Sequence, residues 1–116
     1  ALFAERCGLD LFSATAEDLA PRTGDGWDDA MMRRYVTDIE PHLRDPVFIT
    51  GWPASQAALA RIRDDGPAPV ALRFEAFLGG VELANAFDEL RDADRQRERF
   101  EASNRARVSA GEAPHP

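Results

Sequence analysis

Lysine is absent from this chain, although basic residues are not scarce, because all 14 of them are arginine. A catalytic lysine or a lysine Schiff base is therefore excluded within these 116 residues. Cys7 is the only cysteine, which rules out an intrachain disulfide and a cysteine metal cluster and suits a cytoplasmic protein. No apolar run approaches the ~20 residues of a membrane span and no signal-peptide pattern is recognisable, so we expect no membrane association.

Excess positive charge is lacking as well. The formal net charge is -7 and the isoelectric point is near 4.7. Broad binding to nucleic acid through phosphate contacts needs a basic surface and is not expected. A length of 116 residues suits one small domain. The chain starts within an apolar stretch and without Met, so we expect it to be a piece of a longer protein.

The most informative stretch that is present runs from Arg73 to Asp92, RFEAFLGGVELANAFDELRD. Adjacent glycines between two alternating apolar runs predict a hairpin, because the favoured two-residue turns need positive φ angles. Regular pairing around Gly79 and Gly80 places four pairs opposite each other: Leu78 with Val81, Phe77 with Glu82, Glu75 with Ala84, and Phe74 with Asn85. One face would then carry six residues: Arg73, Glu75, Phe77, Glu82, Ala84 and Ala86.

Two carboxylates on that face, Glu75 and Glu82, become diagonal neighbours within side-chain reach of each other. At ~6 Å and an effective dielectric constant of ~20 they repel by roughly 3 kcal/mol, which Arg73 could partly offset. A divalent cation would reverse the sign of this interaction, since Mg²⁺ binds through one or two carboxylates plus substrate phosphates. From spacing alone, a solvated acidic face on an exposed hairpin is the competing interpretation.

The second strand of the hairpin carries an alternating trio, Asn85, Phe87 and Glu89, which regular pairing places on one face. An amide, an aromatic wall and a carboxylate suit a ligand with an aliphatic stem and a cationic end. One buried ammonium–carboxylate hydrogen bond contributes about 1.5–3 kcal/mol. Polar edge-strand residues around a core phenylalanine are the competing interpretation.

The run RFEAFLGGVELANAFDELRDADRQRERFE resembles, without a gap, the class II lysyl-tRNA synthetase pattern R-[FW]-E-x-[FY]-x-x-G-x-E-[LI]-x-N-G-F-x-E-L-x-D-x-x-x-Q-x-x-R-F. The segment WPASQAALA and the tail NRARVSAGEAPHP are similar to the shorter GenX/PoxA-type relatives. Those relatives are elongation factor P lysyltransferases, paralogues of lysyl-tRNA synthetase that lack its anticodon-binding domain. The resemblance covers residues 46–116 well and residues 1–45 loosely.

The resemblance implies roles for the five polar and aromatic residues of the hairpin. Glu75 and Glu82 would help to hold Mg²⁺ and ATP. Asn85, Phe87 and Glu89 would line a lysine pocket, with Glu89 receiving the ammonium group of a lysine-like substrate.

For the full-length protein, the resemblance implies activation of lysine or β-lysine by ATP and transfer to elongation factor P, within a homodimer. The amino-acid carboxylate would attack the α-phosphate of ATP. The chain would lie between the second and third class-defining motifs, and no ATP-binding arginine of either motif can be matched here. We therefore assign no catalytic residue to this chain and expect it to be inactive alone.

One departure from the pattern and one odd spacing bear on the geometry. The family glycine between Asn85 and Phe87 is Ala86, which is costly if that position needs positive φ and otherwise narrows the pocket by a methyl group. In a regular ladder Glu82 and Asn85 point to opposite faces, because their separation is odd. A shared site requires an extra residue, so we predict a β-bulge or ladder break near Leu83–Ala84.

The order of patterns along the chain predicts an α+β fold, with an antiparallel sheet and flanking helices. By resemblance this is part of a class II synthetase catalytic domain. We divide it into a helical part (1–45), antiparallel strands (46–91), a closing helix (92–110) and a tail (111–116). The expected helices are one over Ala1–Gly8, one after the cap Thr15, one from Trp27 to Glu40 and one after the cap Asp92.

Core positions and strands follow from the same patterns. The helical stripe assigned to the core is Trp27, Met31, Tyr35, Val36 and Ile39. On the closing helix, Gln96 and Phe100 are expected to face inward. The expected strands are Val47–Thr50, Val70–Leu78 and Val81–Leu90.

Three other interpretations remain open. The full-length protein could be an authentic lysyl-tRNA synthetase that charges tRNA. The chain could be a binding module that keeps the pocket without catalysis. It could also be a structural fragment whose exposed sheet edge pairs with another copy. The choice between α-lysine and β-lysine is open as well.

Overall fold

Helices occupy the first part of the chain and its end, and strands lie between them. The computed structural model describes residues 2–116, so Ala1, the expected start of the first helix, lies outside the described residues. The helices are α1 (Leu2–Cys7), α2 (Ala16–Leu19), α3 (Trp27–Arg34) and α4 (Ala93–Ser109). Helix α3 continues directly into a π-helical segment, Tyr35–Ile39, and then into a 3-10 turn, Glu40–His42.

The strands form two antiparallel sheets of three strands each. They are β1 (Val47–Ile49), β2 (Trp52–Pro53), β3 (Ile62–Arg63), β4 (Val70–Ala71), β5 (Arg73–Leu78) and β6 (Val81–Phe87). One sheet has the order β1-β5-β6 and the other has the order β2-β4-β3. The structure confirms the expected α+β class, with antiparallel strands and flanking helices.

The ends of the helices follow from local side-chain chemistry. Thr15 Oγ accepts a hydrogen bond from Asp18 N–H at 3.2 Å, and Asp18 Oδ2 accepts one from Thr15 N–H at 2.8 Å, which completes a capping box. Asp92 Oδ1 likewise accepts from the N–H groups of Asp94 and Arg95, both at 3.1 Å. Both predicted caps, Thr15 and Asp92, are confirmed.

A single cluster of buried residues joins the helical part to the strands. Met31, Tyr35 and Ile39 enter it from α3 and the π-helical segment. Trp52 and Phe77 enter it from the strand region. This cluster packs the helical segment against the face of β5 that carries Phe77, and that face also carries Glu75.

Two core assignments were wrong. Val36 is 49% exposed, because neighbouring helical residues project in different directions and the core covers only the side of Tyr35. Phe100 is 55% exposed, and no residue of α4 is buried. The inward side of α4 is polar instead, since Arg99 Nη1 donates to the carbonyls of Ala58 and Ala60 at 2.6 and 2.7 Å.

The long strand expected over Val70–Leu78 is divided at Leu72. The part before Leu72, β4, pairs with β2 and β3, whereas the part after it, β5, pairs with β1 and β6. The partner strand ends at Phe87 rather than Leu90. Within residues 2–116, no helix combines the length and apolar character that crossing a membrane requires.

Candidate functional site

The candidate site is built on the hairpin of β5 and β6, whose turn is Gly79-Gly80. Both glycines have positive φ, +63° and +80°, as the two-residue turn predicted. Two backbone hydrogen bonds from outside the hairpin hold the turn. Gly79 N–H donates to Arg44 O at 2.9 Å, and Gly80 N–H donates to Leu43 O at 2.8 Å. The hairpin predicted from the adjacent glycines is confirmed.

A one-residue bulge at Leu83 interrupts the pairing of the two strands. Phe77 pairs with Glu82, but its neighbour Ala76 pairs with Ala84, so Leu83 has no partner across the ladder. The bulge predicted near Leu83–Ala84 is therefore confirmed. Its effect is to shift the rest of β6 by one residue relative to a regular ladder.

The bulge corrects two of the pairs that a regular ladder predicts. Glu75 lies opposite Asn85 rather than Ala84, and Phe74 lies opposite Ala86 rather than Asn85. Because opposite residues project to the same side of a sheet, the face of Glu75 carries Asn85 and Phe87, and Ala84 and Ala86 project to the other face. Glu82, opposite Phe77, also lies on the face of Glu75.

Glu75 is the centre of the site. It is 7% exposed and is the only charged residue in the buried class among the described residues. Arg73 Nη2 donates to its Oε1 at 2.5 Å, and the amide nitrogen of Asn85 lies 3.5 Å from the same oxygen. Tyr35 donates its hydroxyl proton to Oε2 at 3.2 Å. Both carboxylate oxygens of Glu75 are therefore held by side chains.

Arg73 is held in turn by its surroundings. Its guanidinium carbon lies 4.6 Å from the centroid of the Trp52 ring, a cation–π contact. Its Nη1 donates to Gln56 O at 3.1 Å. The ring of Tyr35 packs edge-on against Trp52 at a centroid distance of 5.1 Å. Four side chains thus form a closed circuit of contacts, from Tyr35 to Trp52 to Arg73 to Glu75 and back to Tyr35.

The electrostatics of this circuit reflect burial. Burial raises the pKa of Glu75 above its ordinary value, and the nearby Glu82 acts in the same direction, while Arg73 and the Tyr35 hydroxyl act against it. Burial and the Glu75 carboxylate both raise the pKa of Tyr35 far above its ordinary range. The Tyr35 hydroxyl is therefore a neutral proton donor to Glu75 at any physiological pH.

The remaining predicted site residues lie at the rim of the site. Glu82, Asn85 and Phe87 are on β6, at an edge of the sheet, and all three are exposed. Glu89 lies two residues beyond the end of β6, opposite Ala60 in an isolated bridge, and is also exposed. The hairpin thus brings Glu75, Glu82, Asn85 and Phe87 together on one face, and Glu89 follows them along the chain.

The donor set suits a hard divalent cation that is shared with a substrate. Among the described residues, no group of three or more His, Cys, Asp or Glu side chains is arranged as a metal site. Glu75 and Glu82 supply two carboxylates, and Glu82 lies near enough to raise the pKa of Glu75. Mg²⁺ is commonly bound by one or two carboxylates together with waters and substrate phosphates, so this pair fits it as a shared ligand set.

Ala86 stands where the family pattern has glycine, and its backbone shows whether that position needs a positive φ angle. The only non-glycine residues with positive φ in the described part of the chain are Arg22 and Ala58, so Ala86 is not strained. Its methyl group projects to the face of Phe74, away from Asn85 and Phe87. Ala86 alternates with Asn85 and Phe87 along β6, and the bulge moves it off the face of Glu75, on which a regular ladder would have placed it.

Sequence reasoning missed the involvement of Tyr35, which it treated as a core residue, and of Trp52, to which it gave no role. Both are buried, as core residues are, but Tyr35 also directs a hydroxyl at Glu75, forty positions away in sequence. The signal available in the sequence was one hydroxyl within an apolar helical stripe, since a buried tyrosine hydroxyl usually has a hydrogen-bond partner.

The sequence of this chain matches those of known proteins. The family model described as tRNA synthetases class II (D, K and N) matches residues 9–114. A protein of Proteus mirabilis named elongation factor P–(R)-β-lysine ligase is 47% identical over 96 residues, covering 81% of this chain and 29% of the relative. Proteins with the same name from Edwardsiella ictaluri and Pectobacterium atrosepticum are 46% identical over 91 residues and 42% identical over 115 residues.

These matches confirm the resemblance that the hairpin pattern predicted. The Edwardsiella match covers 77% of this chain and 28% of the relative, and the Pectobacterium match covers 97% and 33%. The chain therefore spans about a third of the length of the curated relatives it matches.

Proposed function

Since the chain belongs to the class II tRNA synthetase family of the D, K and N type, we propose that it is part of an ATP-dependent ligase that activates a lysine-type amino acid and transfers it to elongation factor P. The relatives named for this acceptor and for (R)-β-lysine, at 42–47% identity, support the choice of both substrates. A cytoplasmic location belongs to the same proposal, because the single cysteine allows no intrachain disulfide.

The observation that carries the proposal is the bulge at Leu83. It gathers an acidic pair, Glu75 and Glu82, and two residues of the trio, Asn85 and Phe87, on one face of the hairpin. These are the positions at which the family pattern carries its ATP-side and lysine-side residues. A ligase that joins ATP to an amino acid needs both sets within reach of one another.

The proposed chemistry has two steps. The carboxylate of the amino acid attacks the α-phosphorus of ATP, so that a bond to the α-phosphorus forms and the bond to pyrophosphate breaks. An amine of the acceptor then attacks the acyl carbon and releases AMP. When bound, Mg²⁺ neutralises phosphate charge in the first step.

The residues of this chain act by binding and orientation. Glu75 and Glu82 would hold Mg²⁺ on the ATP side, and the contacts of Glu75 with Arg73 and Tyr35 fix its carboxylate. On the amino-acid side, Phe87 supplies an apolar wall, Asn85 a hydrogen-bonding amide and Glu89 an acceptor for the side-chain ammonium group. A charge-assisted hydrogen bond of this kind contributes about 1.5–3 kcal/mol.

The test uses the full-length protein with ATP, Mg²⁺ and labelled lysine or (R)-β-lysine, with elongation factor P and tRNA offered together as acceptors. We expect label on elongation factor P. Label on tRNA would identify an authentic lysyl-tRNA synthetase instead. Label on neither would favour a binding module without catalysis. We also propose that the full-length protein forms a homodimer, which light scattering would test separately.

A matched pair of variants tests the role of Glu89 in the same assay. Glu89→Gln keeps the shape of the side chain and removes its charge, so we expect the KM for the amino acid to rise about tenfold to a hundredfold. Glu101→Gln, an exposed position on α4, removes the same charge away from the hairpin and should leave the KM unchanged. An unaltered KM in Glu89→Gln would remove Glu89 from the proposed pocket.

A further inference from the structure

The two carboxylate oxygens of Glu75 are not equivalent. Oε1 accepts a hydrogen bond from Arg73 and has the Asn85 amide nitrogen at 3.5 Å, whereas Oε2 accepts only from Tyr35. A carboxylate oxygen offers about two lone-pair sites. Two groups therefore approach Oε1 and one holds Oε2, which keeps a lone-pair site for a further ligand.

The group that holds Oε2 is buried and packed against its neighbours. Tyr35 is 3% exposed and lies where α3 passes into the π-helical segment. Its ring packs edge-on against Trp52, which is 4% exposed and lies beneath the guanidinium group of Arg73. The hydroxyl cannot follow a rotation of the Glu75 carboxylate without breaking these contacts, so it selects one orientation of that carboxylate.

We propose that Tyr35 is a positioning residue of the ATP side of the site, which fixes the orientation in which the Glu75 carboxylate would contribute to binding a shared divalent cation. This inference rests on the proposed function, because it presupposes that Glu75 contributes to cation and ATP binding. Tyr35 acts through Glu75 and touches neither the cation nor the substrates. Tyr35 lies outside the hairpin in sequence, and the folded chain brings its hydroxyl into contact with Glu75.

The position of Tyr35 in the helix supports a specific role over simple core filling. A π-helical segment is rare, contains in effect one extra residue and often occurs at functional sites. Here it begins at Tyr35 itself. A core-filling aromatic residue would need only its ring, which packs on Trp52 equally well without a hydroxyl. The hydroxyl contributes the contact with Glu75 and nothing else that the structure describes.

The test is a pair of single-atom changes in the full-length protein. Tyr35→Phe removes the hydroxyl and keeps the ring on Trp52. Thr37→Val also removes one hydroxyl, from the same π-helical segment, but that hydroxyl is exposed and donates only to Arg33 O at 2.9 Å. ATP binding is followed by calorimetry at a series of Mg²⁺ concentrations, without amino acid, and lysine binding is measured separately.

We expect Tyr35→Phe to raise the half-saturating Mg²⁺ concentration about threefold to tenfold, as the loss of one hydrogen bond predicts. Its lysine affinity should stay within about twofold of wild type, and Thr37→Val should match wild type in both titrations. A Tyr35→Phe protein that binds ATP with the wild-type Mg²⁺ dependence would overturn the inference and leave the proposed function intact.

Two other results would also be decisive. If Tyr35→Phe weakened lysine and Mg²⁺ binding equally and lowered the melting temperature, Tyr35 would be a structural residue and the inference would be wrong. If the wild-type protein bound no ATP at any Mg²⁺ concentration, the proposed function would be overturned, and this inference with it.

Discussion

Asn85 and Glu75 lie directly opposite each other on paired strands, and the Asn85 amide nitrogen is 3.5 Å from Glu75 Oε1. In the proposed site they belong to different halves, because Asn85 faces the amino acid and Glu75 faces ATP. The two halves therefore share one contact. A change at Asn85 should therefore affect both the amino-acid half and the ATP half of the proposed site.

Replacing Asn85 by aspartate tests that link. Asn85→Asp keeps the size of the side chain but sets a second carboxylate opposite Glu75, and like charges directly opposite destabilise paired strands. We expect the KM for the amino acid to rise about tenfold and the melting temperature to fall. Asn104→Asp, on α4, is the control for the added charge, and equal kinetics in the two variants would contradict the prediction.

Deleting Leu83 and Ala84 together tests the shared face. Pairing that continues from Phe77 and Glu82 then sets Asn85 opposite Ala76 and Ala86 opposite Glu75, which turns Asn85 and Phe87 away from the face of Glu75. We expect adenylate formation, measured by ATP–pyrophosphate exchange, to fall about a hundredfold or more, while circular dichroism still shows folded protein. Deleting Leu83 alone removes the bulge but leaves Asn85 opposite Glu75, so this variant should retain activity. Equal activity of the two variants would mean that the shared face is not required.

Ala86→Gly restores the family residue at the departure from the pattern. Because the Ala86 methyl group projects away from Asn85 and Phe87, we expect the KM values for lysine and (R)-β-lysine to stay as in wild type. The free energy of unfolding should fall by about 0.5–1 kcal/mol, since glycine is less favourable than alanine within a strand. Urea unfolding measures the second quantity. A change in the preference between the two amino acids would show that Ala86 does contact the pocket.

Glu75→Gln carries a prediction about pH. Burial raises the pKa of Glu75, so the native state holds the proton more tightly than the unfolded state, where the pKa is about 4.3. This stabilisation is full below that pH and is lost as pH rises through the folded-state pKa. Glutamine does not titrate, so the unfolding free energy of the variant minus that of wild type should increase with pH across this window.

Urea unfolding of both proteins at successive pH values measures that difference, which should become constant above the folded-state pKa. Glu98→Gln, exposed on α4, serves as the control and should show no comparable rise. A difference that decreases with pH would mean that the ion pair with Arg73 outweighs burial at Glu75.

Residues 1–116 alone should be inactive. Arginines that match the ATP-binding motifs of the family are missing from this part, and the matched relatives are about three times as long. We expect no ATP–pyrophosphate exchange above background from the isolated chain, under conditions in which the full-length protein is active. Detectable adenylate formation would show that the hairpin and its supports suffice for the first step.

The sequence predicted those features that depend on neighbouring residues. Gly79 and Gly80 specify the turn through their φ angles. The odd separation of Glu82 and Asn85 predicted a bulge, because two residues cannot share a face of a regular strand at that spacing. Thr15 and Asp92 identified helix starts through their own side-chain hydrogen bonds. Each of these signals lies within a few residues of the structure that it determines.

Features that depend on distant contacts were not predictable. The pairing of Tyr35 with Glu75 spans forty positions, and no local pattern indicates which buried carboxylate a tyrosine will meet. The division of the long strand at Leu72 follows from competition between two sheets for the same segment. Phe100 faces solvent because Arg99 and Gln96 bind backbone carbonyls on the inner side of α4.

The hairpin is tied to the rest of the chain at both ends. Its turn is bonded to Leu43 and Arg44, and beyond its open end Asp88 N–H donates to Leu72 O and Asp88 O accepts from Arg61 N–H, at 2.9 and 2.8 Å. Thermal motion that separates the strands must break one of these anchors first. We expect the amide hydrogens that bond β5 to β6 to exchange slowly and at similar rates, so that substrates meet a surface already in its final shape.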